Sequence, residues 1–361
     1  MKLREKIKKI LIGNSVSDKL LFNRYKRDFL RGKGPDQSRL NKLYMLLSFV
    51  VYKTKEHLCK RIIKNHVSLL IAAPNLDEDD GKKWGDYFYA KSLGEELESR
   101  GYTFSIIPME DWYSHKNNGE YALYIMGLHG YRTNKKQKNL LWMLYPCVED
   151  KKYNNYGTYD HIFVASIHYS KILKRKYGDK ISVLYQAFDA KKHFEPVVKN
   201  FKHNLLFVGN TRNEFRRTIR YTSLKNIEVD IIGHGWERYV NEDSIKMQYI
   251  NNEQLLEEYN ASKVVLNDHF PLMKRLGFFN NRIFDVLASK TLLVTDYLPG
   301  MEEQPFAECI CYYKTKEELY NILERIEEEP EFRLNKLKKI DSILERYSMK
   351  VAVDNIEQYF I

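Results

Sequence analysis

The stretch LNDHFPLMKRLGFFNNRIFDVLAS, residues 266–289, joins an apolar, strand-like segment to an amphipathic helix. Its connecting turn is polar and begins with Asn267, Asp268 and His269, and the helix begins near Asn281. In open parallel sheets, ligands bind beyond the carboxyl ends of the strands, where loops and helix N-termini meet. The stretch therefore predicts a ligand site at the mouth of an α/β domain.

The residues at the start of this helix suit a nucleoside diphosphate. Arg282 would place a fixed cation beside the backbone N–H groups of the helix N-terminus, which is a favourable site for a diphosphate. Asp285 would share a face with Asn281, and its carboxylate can accept two hydrogen bonds from the vicinal hydroxyls of a ribose. A structural interpretation also stays open, in which Asn281 only caps the helix and Arg282 pairs with Asp285 or Asp268.

Short apolar runs alternate with helical patterns from residue 67 onward, which predicts two α/β domains. The predicted strands are 67–74, 102–108, 121–127, 161–166 and 181–187 in the first domain and 204–210, 227–233, 263–267, 291–296 and 308–313 in the second. A charged break containing Pro196 separates the two groups. The expected segments are a basic helical extension (1–66), an N-terminal domain (67–195), a C-terminal domain (196–340) and a helix (341–361) that packs back on the N-terminal domain.

Positive charge is concentrated at the start of the chain. Residues 1–66 contain 18 Lys or Arg and 5 Asp or Glu, a net charge of +13, whereas the whole chain carries +11. An anionic membrane surface, or simply a solvated helical face, explains this segment. No nucleic-acid-binding module is recognisable, so no nucleic-acid partner is expected.

The sequence also favours a cytoplasmic protein. Its four cysteines have no metal-ligand spacing, which fits a reducing compartment, and the N-terminus has no signal-peptide pattern. The longest apolar run, near residues 43–52, is about half the length of a membrane-spanning helix. We expect a cytoplasmic location, peripheral to the inner face of the cell membrane if the basic segment binds there.

VVLNDHFPLMKRLGFFNNRIFDVLAS (264–289) with TLLVTDYLPGMEE (291–303) resembles the C-terminal half of GT-B glycosyltransferases, in the group that includes CgeB-like proteins and bacterial polysaccharide glycosyltransferases. WGDYFYAKSLGEELESRGY (84–102) resembles their first βα unit, and LLFVGNTRNEFRR (205–217) the strand and loop after their linker. The resemblance implies two Rossmann-like domains facing a cleft. It also implies a nucleotide-sugar donor held by the C-terminal domain and an acceptor approached from the N-terminal domain.

The resemblance assigns the donor-binding residues to two groups. The first group is Asn267, Asp268, His269, Gly277, Asn281, Arg282 and Asp285, and the second is Gly209, Asn210, Arg212, Arg216, Gly233 and Trp236. Asp285 would bind the ribose, Arg282 and the backbone near Gly277 would contact the diphosphate, and Gly233 and Trp236 would lie where the base is held.

The catalytic candidates lie in the N-terminal domain. Asp86 or His129 would take the proton of the acceptor hydroxyl in an inverting enzyme, and in a retaining enzyme His129 would touch the donor sugar instead. Many retaining enzymes of this fold carry two glutamates separated by seven residues. Here Gly277 stands at the first position and Asp285 at the second. The stereochemical course therefore stays open.

The predicted function is transfer of a sugar from a nucleotide-diphosphate sugar to a glycan or lipid-linked glycan in bacterial surface-polysaccharide synthesis, such as that of a capsule. No metal and no cofactor is expected, because no DxD-type pair stands at the right place and the arginines can neutralise the leaving group. Two alternatives are a nucleotide-sugar epimerase of the same fold and a non-catalytic scaffold or coat protein.

Overall fold

The computed structural model describes residues 61–73, 85–125, 130–146, 155–189, 193–211 and 213–360. It contains two parallel sheets of six strands each, with helices against them. The predicted α/β fold with two domains is therefore confirmed. Nearly all of the predicted basic extension lies outside the described residues, and the first strand begins at Ile63, before the expected domain start at residue 67.

The first sheet has the strand order β2-β1-β3-β4-β5-β6. Its strands are β1 (Ile63–Leu70), β2 (Thr103–Ile107), β3 (Gly119–Ile125), β4 (Lys138–Met143), β5 (His161–Val164) and β6 (Ile181–Val183). Helix α1 (Gly85–Ser99) joins β1 to β2, and helix α2 (Ile167–Tyr177) joins β5 to β6. The sequence analysis missed β4, whose apolar run follows a polar, Lys-rich segment.

The second sheet has the strand order β12-β11-β10-β7-β8-β9. Its strands are β7 (His203–Val208), β8 (Asp230–Ile232), β9 (Ile245–Met247), β10 (Ser262–Asn267), β11 (Leu292–Asp296) and β12 (Cys311–Tyr313). The helices that follow in the chain are α3 (Arg217–Leu224), α4 (Asn252–Asn260), α5 (Pro271–Leu276), α6 (Asn281–Ala288), α7 (Lys316–Glu328), α8 (Pro330–Leu337), α9 (Asp341–Leu344) and α10 (Met349–Glu357). The described helices include none that is long and apolar enough to cross a membrane.

The central strands are apolar on both faces because helices cover both sides of the sheet. Val264, Val265 and Leu266 of β10 are fully buried. Asn267 at the carboxyl end of β10 and Asp296 at the carboxyl end of β11 are also buried, although both are polar. Since the strands are parallel, these two polar residues lie at the same end of the second sheet. This end, formed by the carboxyl ends of the strands, faces the first domain.

The chain crosses between the domains twice, and the two crossing segments are paired. The N–H of Phe188 donates to the carbonyl of Tyr347 (3.0 Å), and the N–H of Met349 donates to the carbonyl of Phe188 (3.1 Å). The Phe188 side chain lies in the core of the second domain. The paired segments therefore form a two-stranded connection between the domains.

The last helix packs on the first domain. Arg100, just after α1, forms ion pairs with Asp354 (2.6 Å) and Glu357 (2.9 Å) of α10, and the ring of Phe360 stacks on Tyr121 with 4.2 Å between centroids. The prediction of a single helix over 341–361 was wrong. Ser348 is extended as the N-cap of α10, its side chain accepts a hydrogen bond from the Val351 N–H, and it pairs with Phe188 at the crossing, so it separates α9 from α10.

Candidate functional site

The polar residues predicted from the sequence meet at the carboxyl edge of the second sheet. Asn267 and Asp268 end β10, Gly209 follows β7, and Gly233 follows β8. The N-terminus of helix α6 lies at the same end of the sheet, and the second residue of this helix is Arg282.

Arg216 is buried and paired. Its Nε donates to Oδ1 of Asp268 (2.8 Å), its Nη2 donates to the same carboxylate and to the Asp268 carbonyl (3.1 Å), and its Nη1 donates to the Asn210 carbonyl (3.3 Å). Its guanidinium lies 4.8 Å from the centre of the Phe207 ring. Several charge-assisted hydrogen bonds of this kind hold the side chain in one position.

Arg282 lies beside Arg216 but has different partners. Its Nη1 donates to Oδ1 of Asn267 (2.8 Å), and its Nε donates to the Tyr259 hydroxyl (3.3 Å). Both of these acceptors are neutral. Arg282 is also partly exposed, so its charge is available at the mouth of the domain, whereas the charge of Arg216 is paired with Asp268.

Gly209 makes the approach of the two arginines possible. A Cβ at this position would lie 2.7 Å from Nη1 of Arg216 and 3.4 Å from Nη2 of Arg282, and its φ is +151°. A larger residue would therefore push the guanidinium groups out of place. Gly233 approaches the same loop, since its Cβ would lie 2.4 Å from the Gly209 carbonyl oxygen.

The start of α6 is held without a side-chain cap. Asn280 occupies the N-cap position, but its side chain donates to Oδ1 of Asn267 (3.0 Å) and makes no capping hydrogen bond. The backbone N–H of Asn280 instead donates to Nε2 of His269 (3.2 Å). The helix N-terminus thus stays available to an anion.

His269 positions this helix and does not face the opening. Its Nδ1 hydrogen-bonds Oδ1 of Asp296 (2.8 Å), and its side chain is fully buried. Burial opposes ionisation of Asp296, but the hydrogen bond with His269 and the nearby charges hold the pKa of Asp296 below its usual range. The prediction that His269 contacts the ligand is therefore corrected to a supporting role.

Asp285 lies one turn into α6 and faces the first domain. Its Oδ2 accepts a hydrogen bond from Nδ2 of Asn281 (2.7 Å), and Oδ1 of Asn281 is buried without a hydrogen-bond partner among the described residues. Burial raises the pKa of Asp285 to about 7, and the charge of Asp189 adds to this effect against the opposing charge of Arg282. Asp189 belongs to the crossing segment, so Asp285 lies where the two domains meet.

Trp236 and Gly277 have different roles from those predicted. The Trp236 side chain is fully buried, and its indole N–H donates to the Gly209 carbonyl (2.8 Å), so it supports the loop and offers no face to a base. Gly277 ends α5, and a Cβ there would lie 2.7 Å from the Pro299 carbonyl and 3.2 Å from Oγ of Ser166. It therefore belongs to a close contact between the domains, and a role of the backbone near it in binding the diphosphate stays a prediction.

Of the two candidate bases predicted in the first domain, Asp86 lies within the described residues. It is the second residue of α1 and is partly buried, and this burial raises its pKa to about 6. His129 and Arg212 lie outside the described residues, and their roles stay predictions. The described residues contain no group of three or more His, Cys, Asp or Glu side chains that could hold a metal ion.

The sequence analysis missed two residues near Asp285. Tyr89 lies one turn after Asp86 on the same face of α1, and its hydroxyl accepts a hydrogen bond from the Ala187 N–H (2.9 Å). Burial raises the pKa of Tyr89, and the charge of Asp285 adds to this effect. Oγ of Ser92 donates to Asp189 (2.7 Å). The helical spacing of 86, 89 and 92 could have indicated one polar face on α1.

We expect the substitution Asp285→Asn to stabilise the ligand-free protein at pH 8. A carboxyl group whose pKa is raised from 3.8 to about 7 on folding favours the folded state fully at low pH and loses that contribution as the pH rises to about 7. The gain at pH 8, allowing for partial exposure of the side chain, should be on the order of 2 kcal/mol.

Urea unfolding at pH 5 and pH 8 measures this effect, with Asp243→Asn in the same domain as an exposed control. The variant's advantage over wild type should shrink at pH 5. Equal unfolding midpoints for wild type and Asp285→Asn at pH 8 would contradict the placement of this carboxylate.

Comparison with known proteins agrees with this architecture. Residues 212–358 match the sequence model of a family described as glycosyl transferase-like, a span that begins within the loop after β7 and includes α6. No curated protein matches the chain.

Three similar solved structures are a sucrose-phosphate synthase, an alpha-glucosyltransferase and a bacterial glycosyltransferase. The sucrose-phosphate synthase from Thermosynechococcus elongatus is 13% identical, with 82% of this chain and 98% of that chain covered and a TM-score of 0.58. The alpha-glucosyltransferase, in complex with UDP and a 13-mer DNA, is 11% identical, with 82% and 99% covered and a TM-score of 0.57. The glycosyltransferase from Rickettsia africae ESF-5 is 12% identical, with 83% and 98% covered and a TM-score of 0.53. The chain therefore has the GT-B glycosyltransferase fold, and its C-terminal part matches the glycosyl transferase-like family.

Proposed function

We propose that the protein transfers a sugar from a nucleotide-diphosphate sugar to a glycan or lipid-linked glycan acceptor. The observation that carries this proposal is the arginine pair around Gly209, with Asp285 one helical turn away from Arg282. Two guanidinium groups and an uncapped helix N-terminus suit a diphosphate. A carboxylate next to them suits the vicinal hydroxyls of the ribose.

The same groups would stabilise the leaving group. As the bond between the sugar and the diphosphate breaks, negative charge grows on the diphosphate oxygens. Arg216 is already fixed by Asp268, and Arg282 by Asn267, so the cations need not reorganise during the reaction. The arginines could neutralise this charge without a metal ion.

Asp86 is the residue that we propose as the general base. A base works best when its pKa lies near the working pH, and burial raises the pKa of Asp86 to about 6. It would take the proton of the acceptor hydroxyl as that oxygen attacks the anomeric carbon. His129 stays the second candidate for a contact with the reacting sugar.

The acceptor and the cellular setting rest on the sequence. We propose synthesis of a bacterial surface polysaccharide, such as a capsule, by a member of the CgeB-like group on the inner face of the cell membrane. The support is the resemblance of residues 264–303 and the net charge of +13 on residues 1–66, which would attract the protein to anionic lipid.

A nucleoside diphosphate should stabilise the protein against heat. A ligand at about 100 times its Kd stabilises the folded state by roughly 2.7 kcal/mol, which a thermal-shift assay resolves. UDP, GDP and dTDP, with the monophosphate CMP for comparison, are tested with wild type, Arg282→Ala and the matched control Arg325→Ala, which removes an exposed arginine of α7.

One nucleotide should raise the melting temperature of the wild type and of Arg325→Ala, and Arg282→Ala should lose this response. If none of the nucleotides stabilises folded wild type, the donor site does not exist and the scaffold interpretation replaces the enzyme.

Asp86→Asn should reduce kcat by roughly 10²- to 10⁴-fold, because the amide cannot accept the proton. In wild type the rate should fall as the pH drops below about 6, where the carboxylate becomes protonated. Sugar transfer is measured from nucleotide release with the donor that the thermal-shift assay identifies.

The variant should keep its thermal response to the nucleotide, which separates lost chemistry from lost binding. A kcat close to that of wild type would exclude Asp86 as the base.

Transfer should continue in the presence of excess EDTA, since Arg282 and the N-terminus of α6 supply the positive charge at the diphosphate. The rate is compared before and after dialysis against the chelator, and again after addition of Mg²⁺ or Mn²⁺. A rate that falls with EDTA and returns with either ion would show that a metal is required.

A further inference from the structure

One short segment of the second domain packs in the core of the first. This bridging segment, residues 270–278, joins β10 to α6 and includes α5. Met273 and Phe278 are buried in the core of the first domain, whereas the next residue, Phe279, belongs to the core of the second domain. The boundary between the two cores therefore falls between Phe278 and Phe279, close to Arg282 at the site.

Aromatic contacts hold Phe278 and Phe279 on opposite sides of this boundary. The centre of the Phe278 ring lies 5.6 Å from that of Tyr169 on α2, and the centre of the Phe279 ring lies 5.1 Å from that of Phe306. Both phenylalanine rings are fully buried. Since protein interiors are close-packed, neither ring can move far without disturbing the core that surrounds it.

Two side chains of the first domain hold the backbone at the end of the bridging segment. Oγ of Ser166 donates to the Leu276 carbonyl (2.6 Å). Nε2 of Gln186 donates to the Phe279 carbonyl (3.1 Å) and to the Leu144 carbonyl (3.1 Å). Gln186 is 7% exposed, so water does not readily replace it as the donor to these carbonyls.

The hydrogen bonds of Gln186 do more than join two surfaces. An apolar side chain would pack between the domains without the cost of burying an amide. Hydrogen bonds, unlike apolar contacts, fix both distance and direction. Because Leu144 directly follows β4, Gln186 fixes the Phe279 carbonyl relative to the first sheet.

The bridging segment connects the first domain directly to the N-terminus of α6. Asn280 follows Phe279 as the N-cap of this helix, and its backbone N–H is held within the second domain by Nε2 of His269 (3.2 Å). Four residues of chain span at most about 14 Å, so a shift of Phe278 reaches Arg282 over a short distance. The first domain and His269 thus both determine where the start of α6 lies.

We propose that Gln186 and Phe278 are positioning residues that hold the N-terminus of α6 where a diphosphate binds. Neither residue would touch the ligand. The effect on nucleotide affinity rests on the proposed function, whereas the effect on α6 itself does not. The first domain would thus set the affinity of a site that lies in the second.

The test compares full-length variants with matched controls in the first domain. Gln186→Leu removes both hydrogen bonds, and its control is Gln137→Leu, because Gln137 is also buried and its Nε2 also donates to two acceptors (3.0 and 2.9 Å). Gln137 precedes β4, at the end of the first sheet opposite the cleft. Phe278→Leu shrinks a buried ring, and its control is Phe163→Leu, because Phe163 lies in the same core against Tyr359.

Ser166→Ala is a milder change that keeps the proposal testable if the larger changes unfold the protein. It removes the hydrogen bond to the Leu276 carbonyl and the N-cap of α2. Its control, Thr315→Ala, removes the N-cap of α7.

Hydrogen exchange of the ligand-free proteins shows how firmly α6 is held. The amides of residues 283–288 should exchange roughly fivefold or more faster in Gln186→Leu and Phe278→Leu than in their controls, because the start of α6 then rests on contacts of its own domain. Equal exchange in each variant and its control would overturn the proposal, whatever the nucleotide result.

Isothermal titration with UDP, GDP and dTDP, well below each melting temperature, measures the effect on the site. Gln186→Leu and Phe278→Leu should raise the Kd of the bound nucleotide by roughly tenfold, the loss of about one charge-assisted hydrogen bond, and the controls should stay within about twofold of wild type. A merely structural role would lower the melting temperatures of variants and controls alike and leave every Kd unchanged, and this result would overturn the proposal. If wild type binds none of the three nucleotides, the proposed donor site fails, and hydrogen exchange still decides whether the first domain positions α6.

Discussion

The ion pair between Arg216 and Asp268 is the contact on which the arrangement of the site depends. Asp268 stands at the end of β10, and besides Arg216 its carboxylate accepts a hydrogen bond from the N–H of Thr218 (3.3 Å) at the start of α3. One carboxylate thus fastens the loop after β7 to the end of β10. A buried pair of this kind costs much desolvation, and removing either partner alone would leave an uncompensated charge. Because Asp268 neutralises Arg216, Arg282 carries the positive charge that is available to a ligand.

Two residues of the site, Asp285 and Asn281, lie in environments that are unfavourable to the stability of the ligand-free protein. Asp285 is held near Asp189, and its pKa is raised to about 7, which means that its ionised form is disfavoured in the ligand-free protein. Oδ1 of Asn281 is buried without a hydrogen-bond partner among the described residues. Such features persist where the surrounding structure enforces them, and they are enriched at functional sites. Ribose hydroxyls would give both residues the partners that they lack.

The sequence predicted which residues come together better than which contacts each side chain makes. Parallel strands bring their carboxyl ends together, so the order of strands and loops along the chain was enough to place Gly209, Asp268 and Arg282 at one edge. The roles of His269 and Trp236 could not be predicted, because they depend on which backbone groups lie opposite them in the folded chain. Their neighbours, Asp296 for His269 and the Gly209 carbonyl for Trp236, are distant in sequence.

Strands and helices that depend on long-range contacts were harder to predict. The strand β9 has only three residues, and β4 begins at a lysine after a polar, lysine-rich segment. Ser348 is extended as the N-cap of α10, where its side chain accepts a hydrogen bond from the Val351 N–H, and it also pairs with Phe188. Tyr89 and Asp189 become relevant only when the crossing segment lies against α1. The fold class follows from periodicity and could be predicted, whereas these contacts between the domains have no local signal.

The position of α10 has a consequence for the order in which the chain folds during synthesis. The core of the first domain includes Met349, Val353, Ile356 and Phe360, whereas the core of the second domain ends at Tyr347. The second domain can therefore complete its core without residues 349–360. The first domain, although most of it is synthesised earlier, cannot complete its core until these residues have been made, and until then Tyr121 lacks the ring of Phe360 that stacks on it. Its aromatic surface is exposed to aggregation during that interval, and a chaperone would have its longest opportunity to bind there.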